Sequence, residues 1–566
     1  MPWFQYPDVS FRGKVFQKTS TKTYDVILVS GDAYVDHPSF PAAVITRYLQ
    51  SLHLNVAVIT QPDWTSTSDF MVFGRPALFF GVTSGAMDSM VANYTSMKMP
   101  RSEDRMSPGG KSGLRPKRAV NVYSQLLRQA FPGIPIILGG IEASLRRFSH
   151  YDFWENKVKD SVLADSGADM IVYGMGENPL RDIVQLFQKH SWKELKDIPV
   201  PQTCVKRPPG SSSEIFGEKM VLLPDAKECR QNPLAIMQLS QIMDLWYSHN
   251  SLPMVQRHEK FDFVCFPPSS DRFSLEWGAN NHKVFNRRAH PIYEEPVPAV
   301  EPVQFSIISH RGCFGTCSFC SIALHQGREV ISRPIESIVK ELASFKDHPD
   351  FHGVVPDIGG PSANMYGWSC ESGGCEKKLC TFPGRCKNLK GNLAPTVELL
   401  KAALQVPGIR KVFIGSGLRF DLIEREDLNS FTYIIANHVS GQLKVAPEHV
   451  SRKVLRLMRK APDKKFAEFV EWYYEIVKRL NKKFYLIPYF MTAFPGADEL
   501  DSELEKFISQ YRLAHEQIQE FTPTPGTIAT AMYWSETDFM GNKISVAKSS
   551  EKRRNARRNI QKNGRV

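Results

Sequence analysis

Short apolar runs of β type alternate with helical patterns twice along this chain, in two different rhythms, and that alternation confines it to the α/β class with two parallel-sheet bodies. In the first series Asp25–Val29 reads as a strand, Phe40–Leu52 as its helix, and Asn55–Thr60, Ala77–Val82, Pro135–Leu138 and Asp169–Tyr173 as further strands. This order predicts a doubly wound sheet. The last two runs end in Gly139-Gly140 and Gly174-Met175-Gly176, which suits either a ligand-binding crest or tight strand-to-helix turns. Between strands, Met99–Arg118 reads as a long polar loop.

The second series has strands at Val303–Ile308, Gly353–Ile358, Lys411–Gly415, Gln442–Ala446, Lys483–Pro488 and Gln517–Phe521. Helical patterns at Ile335–Phe345, Thr396–Leu404, Ser451–Met458, Ala467–Leu480 and Asp501–His515 separate them. Such an order predicts a partial (βα)6 barrel of TIM type, whose site lies at the C-terminal ends of the strands. The breaker-rich Lys206–Ser213 closes a first domain at 1–210. Residues 211–300, with a helical pattern at Pro233–His249, are expected to form a mixed connecting region packing between domains, with the barrel at 301–546 and a basic disordered tail at 547–566.

The chain has 566 residues and a net charge of +12, but the tail holds eight lysines and arginines against Glu551 alone, so +7 of that charge sits at one end. A basic tail can hold RNA phosphates by counterion release, and it can equally be a solvated face. No apolar run reaches the roughly 18 residues that span a bilayer, and the N-terminus shows no leader pattern, so no membrane partner and a cytoplasmic location are expected. Seven of the ten cysteines fall between Cys313 and Cys386, a clustering that favours metal over disulfides.

Directly after the first strand of the second series stand Cys313, Cys317 and Cys320, spaced CxxxCxxC. Three thiolates on a cubane cluster leave one of four irons without a protein ligand, and an open iron is where chemistry can occur. Structural zinc, the alternative, generally takes four ligands in paired spacing. Cys370, Cys375, Cys380 and Cys386 form a second group that could close around an auxiliary iron–sulfur cluster or a zinc, or remain free thiols. Cys204, Cys229 and Cys265 are isolated and read as buried small hydrophobes. Arg146, Arg147, His150, Tyr151, Asp152 and Trp154 suit either a substrate-facing crest or an ion-pair network. No general acid or base stands out.

CxxxCxxC after the first strand of a partial barrel resembles the signature of the radical S-adenosylmethionine (SAM) superfamily, and Phe319 before the last cysteine fits it. Asp357-Ile358-Gly359-Gly360-Pro361 stands where that superfamily has a Gly-Gly-Glu type motif meeting the amino group of SAM, with Pro361 in place of the acid. The strand ends Gly415–Arg419 and Lys444–His449 offer polar groups to the SAM ribose or carboxylate. The resemblance thus implies Cys313, Cys317 and Cys320 as ligands of a [4Fe–4S] cluster, and Gly359, Gly360, Ser416, Lys444 and Glu448 as SAM contacts. Ser451–Arg459 and Ala493–Glu499 resemble segments of radical SAM methylthiotransferases.

The finer resemblance is to the YgiQ-type family of radical SAM proteins, carried by Ser30–Phe40, Gly139–Arg147 and Asp357–Tyr366. It implies an N-terminal Rossmann-like domain similar to cobalamin-binding ones. Asp36 and His37 are adjacent, however, and the chain has no DxHxxG loop, so histidine-ligated cobalamin is not expected. The resemblance further implies a 5′-deoxyadenosyl radical acting on a substrate that the sequence does not name, and a reducing donor such as a flavodoxin or ferredoxin. A non-catalytic iron–sulfur carrier or redox sensor, and an RNA-binding factor, are the contrasting readings.

Overall fold

The computed structural model describes residues 5–16, 23–246, 251–268, 285–372, 375, 379–461, 463–497, 500–513 and 517–563. Two compact units emerge, one of Met1–Ile242 with Asn250–Gln304, the other of Met243–His249 with Phe305–Val566.

In the first unit, parallel strands lie side by side in the order Val56–Thr60, Val26–Ser30, Phe79–Thr83, Ile136–Leu138, Met170–Val172. Numbered along the chain this is 2-1-3-4-5, a doubly wound order whose switch point falls between Val26–Ser30 and Phe79–Thr83. Both Val26–Ser30 and Val56–Thr60 are buried at every position. Central parallel strands flanked by helices show such unbroken apolar runs instead of alternation. Helices Pro41–Ser51, Ala119–Ala130 and Glu177–Phe187 follow strands of the series.

The stretch 211–300, expected as a connecting region, contributes Met243–His249 to the second unit and the rest to the first. It supplies Val221–Leu222, Met254–Arg257 and Asp262–Cys265, which extend the same sheet beyond Thr203–Arg207 to eleven strands. Buried Met254, Val255, Phe263, Val264 and Cys265 explain why they join a sheet. The sequence pattern concealed this because strands of two to four residues carry too little periodicity to stand out.

The second unit carries six parallel strand segments in chain order: Ile307–Ile308, Val354–Gly359 in two pieces, Lys411–Val412, Gln442–Glu448, Tyr485–Thr492 and Ile518–Glu520. A parallel bridge from Leu418 to Val445 joins the third to the fourth. The first strand starts later than expected, because residues 301–305 form a turn in which the Val303 N–H bonds the Val300 carbonyl. A helix at Leu428–His438 fills the third crossover, where Asn429, Ser430 and Thr432 had hidden the spacing of Phe431, Ile434 and Ile435.

Burial alternates along Gln442–Glu448 and Tyr485–Thr492: Leu443, Val445, Leu486 and Phe490 enter the main apolar core, and Lys444 and Tyr489 take the other face.

The residues expected as a disordered tail form instead a helix, Ser550–Asn563. Ile560 is 1% exposed within the barrel core, Arg553 bonds the Phe521 carbonyl, and Arg557 pairs with Glu520 at 3.5 Å. A single apolar anchor and two inward arginines thus outweigh the like-charge repulsion that suggested disorder. Among the described residues no helix is long and apolar enough to cross a membrane.

Candidate functional site

The loop after Ile307–Ile308 is held at both ends and in the middle. Cys313 donates its N–H to the Gly327 carbonyl at 3.1 Å, and Cys320 donates to the Cys317 carbonyl at 3.1 Å just before helix Ile322–Gln326. Ser318 is fastened by its N–H to Met458, by its hydroxyl to the Leu457 carbonyl at 2.8 Å, and by its carbonyl to the Ala529 N–H. The three thiols lie close enough to act on one another's charge. Burial pushes Cys320 up to about 12, with Cys317 and Cys313 adding to it, and burial likewise raises Cys313. Thiols crowded in this way favour a ligand that takes up their charge once they ionise.

Two cations stand ready for that charge. A Cβ at Gly315 would lie 2.3 Å from an Arg419 nitrogen, so only glycine lets the loop pass under the guanidinium. Burial disfavours the charge on Arg419, but Asp421, at 2.5 Å, and the two thiols Cys317 and Cys313 more than offset it. Lys460, whose ammonium donates to the Ala446 carbonyl at 2.7 Å, lowers both Cys313 and Glu448.

The strand-end residues singled out from sequence gather around the same mouth. Ser416 donates to Asp357 at 3.1 Å, and a Cβ at Gly359 would stand 2.1 Å from the Ser416 oxygen, so this close approach needs glycine. Gly360 packs against the His310 ring. Lys444 is exposed and draws the Asp357 carboxyl down against the burial that raises it. Glu448 sits at a register shift with φ of 68°, its carboxyl raised by burial, and its charge reaches Cys320.

Sequence reasoning missed Asp357, Arg419, Lys460 and His310 as site residues, although the first two lie inside motifs it quoted. Asp357 accepts the N–H groups of Gly415 and Ser416 at 2.7 and 3.0 Å, a fixed carboxylate between two strand ends. Lys460 carried no signal, because only the fold of helix Arg452–Met458 returns it to the mouth. Of the later segment, Asp498 and Glu499 lie outside the described residues, as does His515.

All ten cysteines are free thiols, and among the described residues no three metal-ligating side chains already stand at coordination geometry. Cys204, Cys229 and Cys265 are fully buried in the first unit, as small hydrophobes are. Cys380 and Cys386 pack on a small apolar cluster of Phe314, Met365, Trp368, Leu389 and Leu422, which Cys313 also touches.

The switch point of the first unit is occupied by its own side chains. Arg115 pairs with Asp32 at 2.9 Å and Asp104 at 2.7 Å and donates to the Ser84 carbonyl at 3.0 Å. All three charged groups are buried, so the polar loop 99–118 folds inward over the crest. Asp36 is taken by Arg47 and Asn286, and His37 by Arg287 at 3.0 Å. Arg146 pairs with Asp88, and Asp152 with Arg118 at 2.8 Å, an ion-pair network within this unit.

A family model described as Radical SAM N-terminal matches residues 12–306. A UPF0313 protein of Methanocella arvoryzae is 44% identical over 541 residues, covering 94% of this chain and 89% of that protein. The UPF0313 protein of Thermotoga maritima is 40% identical over 559 residues, covering 96% of each. The chain belongs to the UPF0313 family of radical SAM proteins. For a UPF0313 protein, membership in the radical SAM superfamily implies SAM, iron and a [4Fe–4S] cluster. Among solved structures, the radical SAM methyltransferase TsrM from Kitasatospora setae, with cobalamin and a [4Fe–4S] cluster bound, is similar with a TM-score of 0.50 at 12% identity. The likeness covers 90% of this chain and 77% of that one and is a likeness of fold.

Proposed function

We propose that this UPF0313 protein is a radical SAM enzyme in which Cys313, Cys317 and Cys320 hold a [4Fe–4S] cluster and the surrounding strand ends hold SAM. The observation that carries the reading is the gathering of three partly buried thiols near Arg419 and Lys460 at the C-terminal end of the first barrel strand. Cluster and SAM, when bound and given one electron, supply reductive cleavage of the sulfonium to methionine and a 5′-deoxyadenosyl radical that removes a hydrogen atom from an unactivated C–H.

The chain's own groups do the positioning. Arg419 and Lys460 balance the anionic thiolates in a low-dielectric setting, where paired charge is needed to keep the site ionised. Pro361 stands where an acid would meet the SAM amino group, so that ammonium is assigned to the Gly360 carbonyl and the Asp357 carboxylate, the Gly359 carbonyl being taken by the Ser309 N–H and hydroxyl. Lys444 suits the SAM carboxylate, and Ser416 and Glu448 suit the ribose hydroxyls. A flavodoxin- or ferredoxin-like protein is assigned as electron donor.

The N-terminal crest carries no cobalamin in this reading, because its switch point is filled by the Arg115–Asp32–Asp104 group and His37 is buried against Arg287. Dialysis of the full chain against hydroxocobalamin tests it: stoichiometric uptake overturns the exclusion.

Anaerobic reconstitution with iron and sulfide, then dithionite and SAM, should give 5′-deoxyadenosine by chromatography. A fully loaded cluster yielding none rejects the enzyme in favour of an electron carrier.

A further inference from the structure

Between Glu371 and Asn388 the chain makes an excursion that its ordinary packing does not explain. Its base is a two-pair antiparallel ladder, Ser369–Cys370 against Leu389–Lys390. Among the described residues of the excursion only Thr381 is buried, and Leu379 and Phe382 remain partly exposed. The described residues thus lack a core of their own, and since ordering costs of the order of 1 kcal/mol per residue in backbone freedom, they need another staple.

Four cysteines occupy the places where such a staple would act. Cys370 sits in the ladder opposite Leu389, whose N–H bonds the Cys386 carbonyl at 3.1 Å, and the Cys386 N–H bonds the Cys380 carbonyl at 2.9 Å. Three of the four are therefore tied to one another through the backbone within a few residues of the ladder. Cys370, Cys375 and Cys386 all lie within electrostatic reach of the Cys380 thiol. All four are half-buried and none is in a disulfide. Arg385 stacks over Trp368 at 4.5 Å and donates to the Gly391 carbonyl, clamping the segment that carries Cys380 and Cys386.

We propose that Cys370, Cys375, Cys380 and Cys386 are the four thiolate ligands of a second metal centre, distinct from the triplet and closed by the chain itself. The ligand is a thiolate-preferring metal: iron within a sulfide-bridged cluster, or a single zinc ion. Binding releases the thiol protons to solvent and leaves no coordination position for substrate, so the centre folds the excursion and does not replace the triplet in catalysis. Cys313 shares the apolar cluster on which Cys380 and Cys386 pack, so filling the second centre stiffens the floor of the first.

The test uses the full chain with Cys313→Ala, Cys317→Ala and Cys320→Ala combined, which removes the triplet and makes the readout independent of SAM chemistry. After anaerobic purification, iron, sulfide and zinc are counted per chain before and after supplying iron with sulfide, or zinc alone. About four irons with four sulfides, or about one zinc, retained per chain and lost when Cys380→Ser and Cys386→Ser are added, is the expected result, and the metal found decides between the two sources. Neither metal retained overturns the proposal. A misfolded variant is guarded against by alkylating the native parent chain: Cys370, Cys375, Cys380 and Cys386 should resist modification at least tenfold better before a chelator is added than after, and equal modification overturns the proposal as well.

Discussion

At the ends of the N-terminal parallel strands, Asp32, Asp104 and Arg115 neutralise one another and each is at most 5% exposed. At the ends of the barrel strands, Ser416 and Lys444 are exposed and three thiols stand near two cations, Arg419 and Lys460. Both regions are built from the same strand-to-helix units with glycines at the turn. The difference teaches that a crest becomes a site when its polar groups are left incomplete, and becomes structure when a neighbouring loop completes them.

Cys317→Ala should have the largest effect on the contrast, reducing 5′-deoxyadenosine formation by a hundredfold or more while limited proteolysis still releases an intact N-terminal unit. An unchanged yield would detach the triplet from the chemistry. On the other crest, Asp32→Ala leaves Arg115 buried with one of its two carboxylates and should cost about 3–5 kcal/mol in denaturant unfolding of the N-terminal unit. Its iron content after reconstitution should match that of the parent chain, and a loss of iron would show that the crest serves the barrel site.

The pH response follows from the same buried charges. Burial holds His150 down to about 4 from an ordinary 6.5, so its contribution is fully present above pH 6.5 and is lost as pH falls toward 4, by about 3 kcal/mol. Asp32, which burial lifts to about 6, works oppositely: its protonation between pH 6 and 4 favours the folded state. His150→Gln should therefore make the first unit more tolerant of pH 5 relative to pH 7.5 than the parent chain, read from denaturant midpoints at both values. An equal acid sensitivity would remove His150 from the balance. The smallest change belongs to a single cofactor contact: Glu448→Gln should weaken SAM binding about tenfold in calorimetry, roughly 1.4 kcal/mol. Unchanged affinity would point Glu448 towards the cluster, where its charge already reaches Cys320.

Much of this arrangement was legible in the chain because periodicity and spacing are local. The doubly wound series, the order of the barrel strands and the placing of Cys313 after the first of them follow from runs of apolar residues a few positions long. What escaped is what folding brings from a distance. Lys460 reaches the mouth only through the turn after Met458, and Arg115 enters the crest from a loop whose composition reads as solvent-facing. The C-terminal helix was concealed by charge, since one isoleucine among eight cations gives no periodic stripe, yet Ile560 is among the most buried residues of the barrel core. Residues 211–265 misled for the opposite reason, because strands of two to four residues carry too little pattern to separate from loop.

The eleven-stranded sheet ends on one side at Val221–Leu222 and on the other at Lys14–Phe16, two and three residues long. Lys14 is held outward by Glu294 at 2.9 Å. Borders so short, one of them charged, offer little backbone for another chain to zip onto, which guards a wide, strongly apolar platform against growth into filaments.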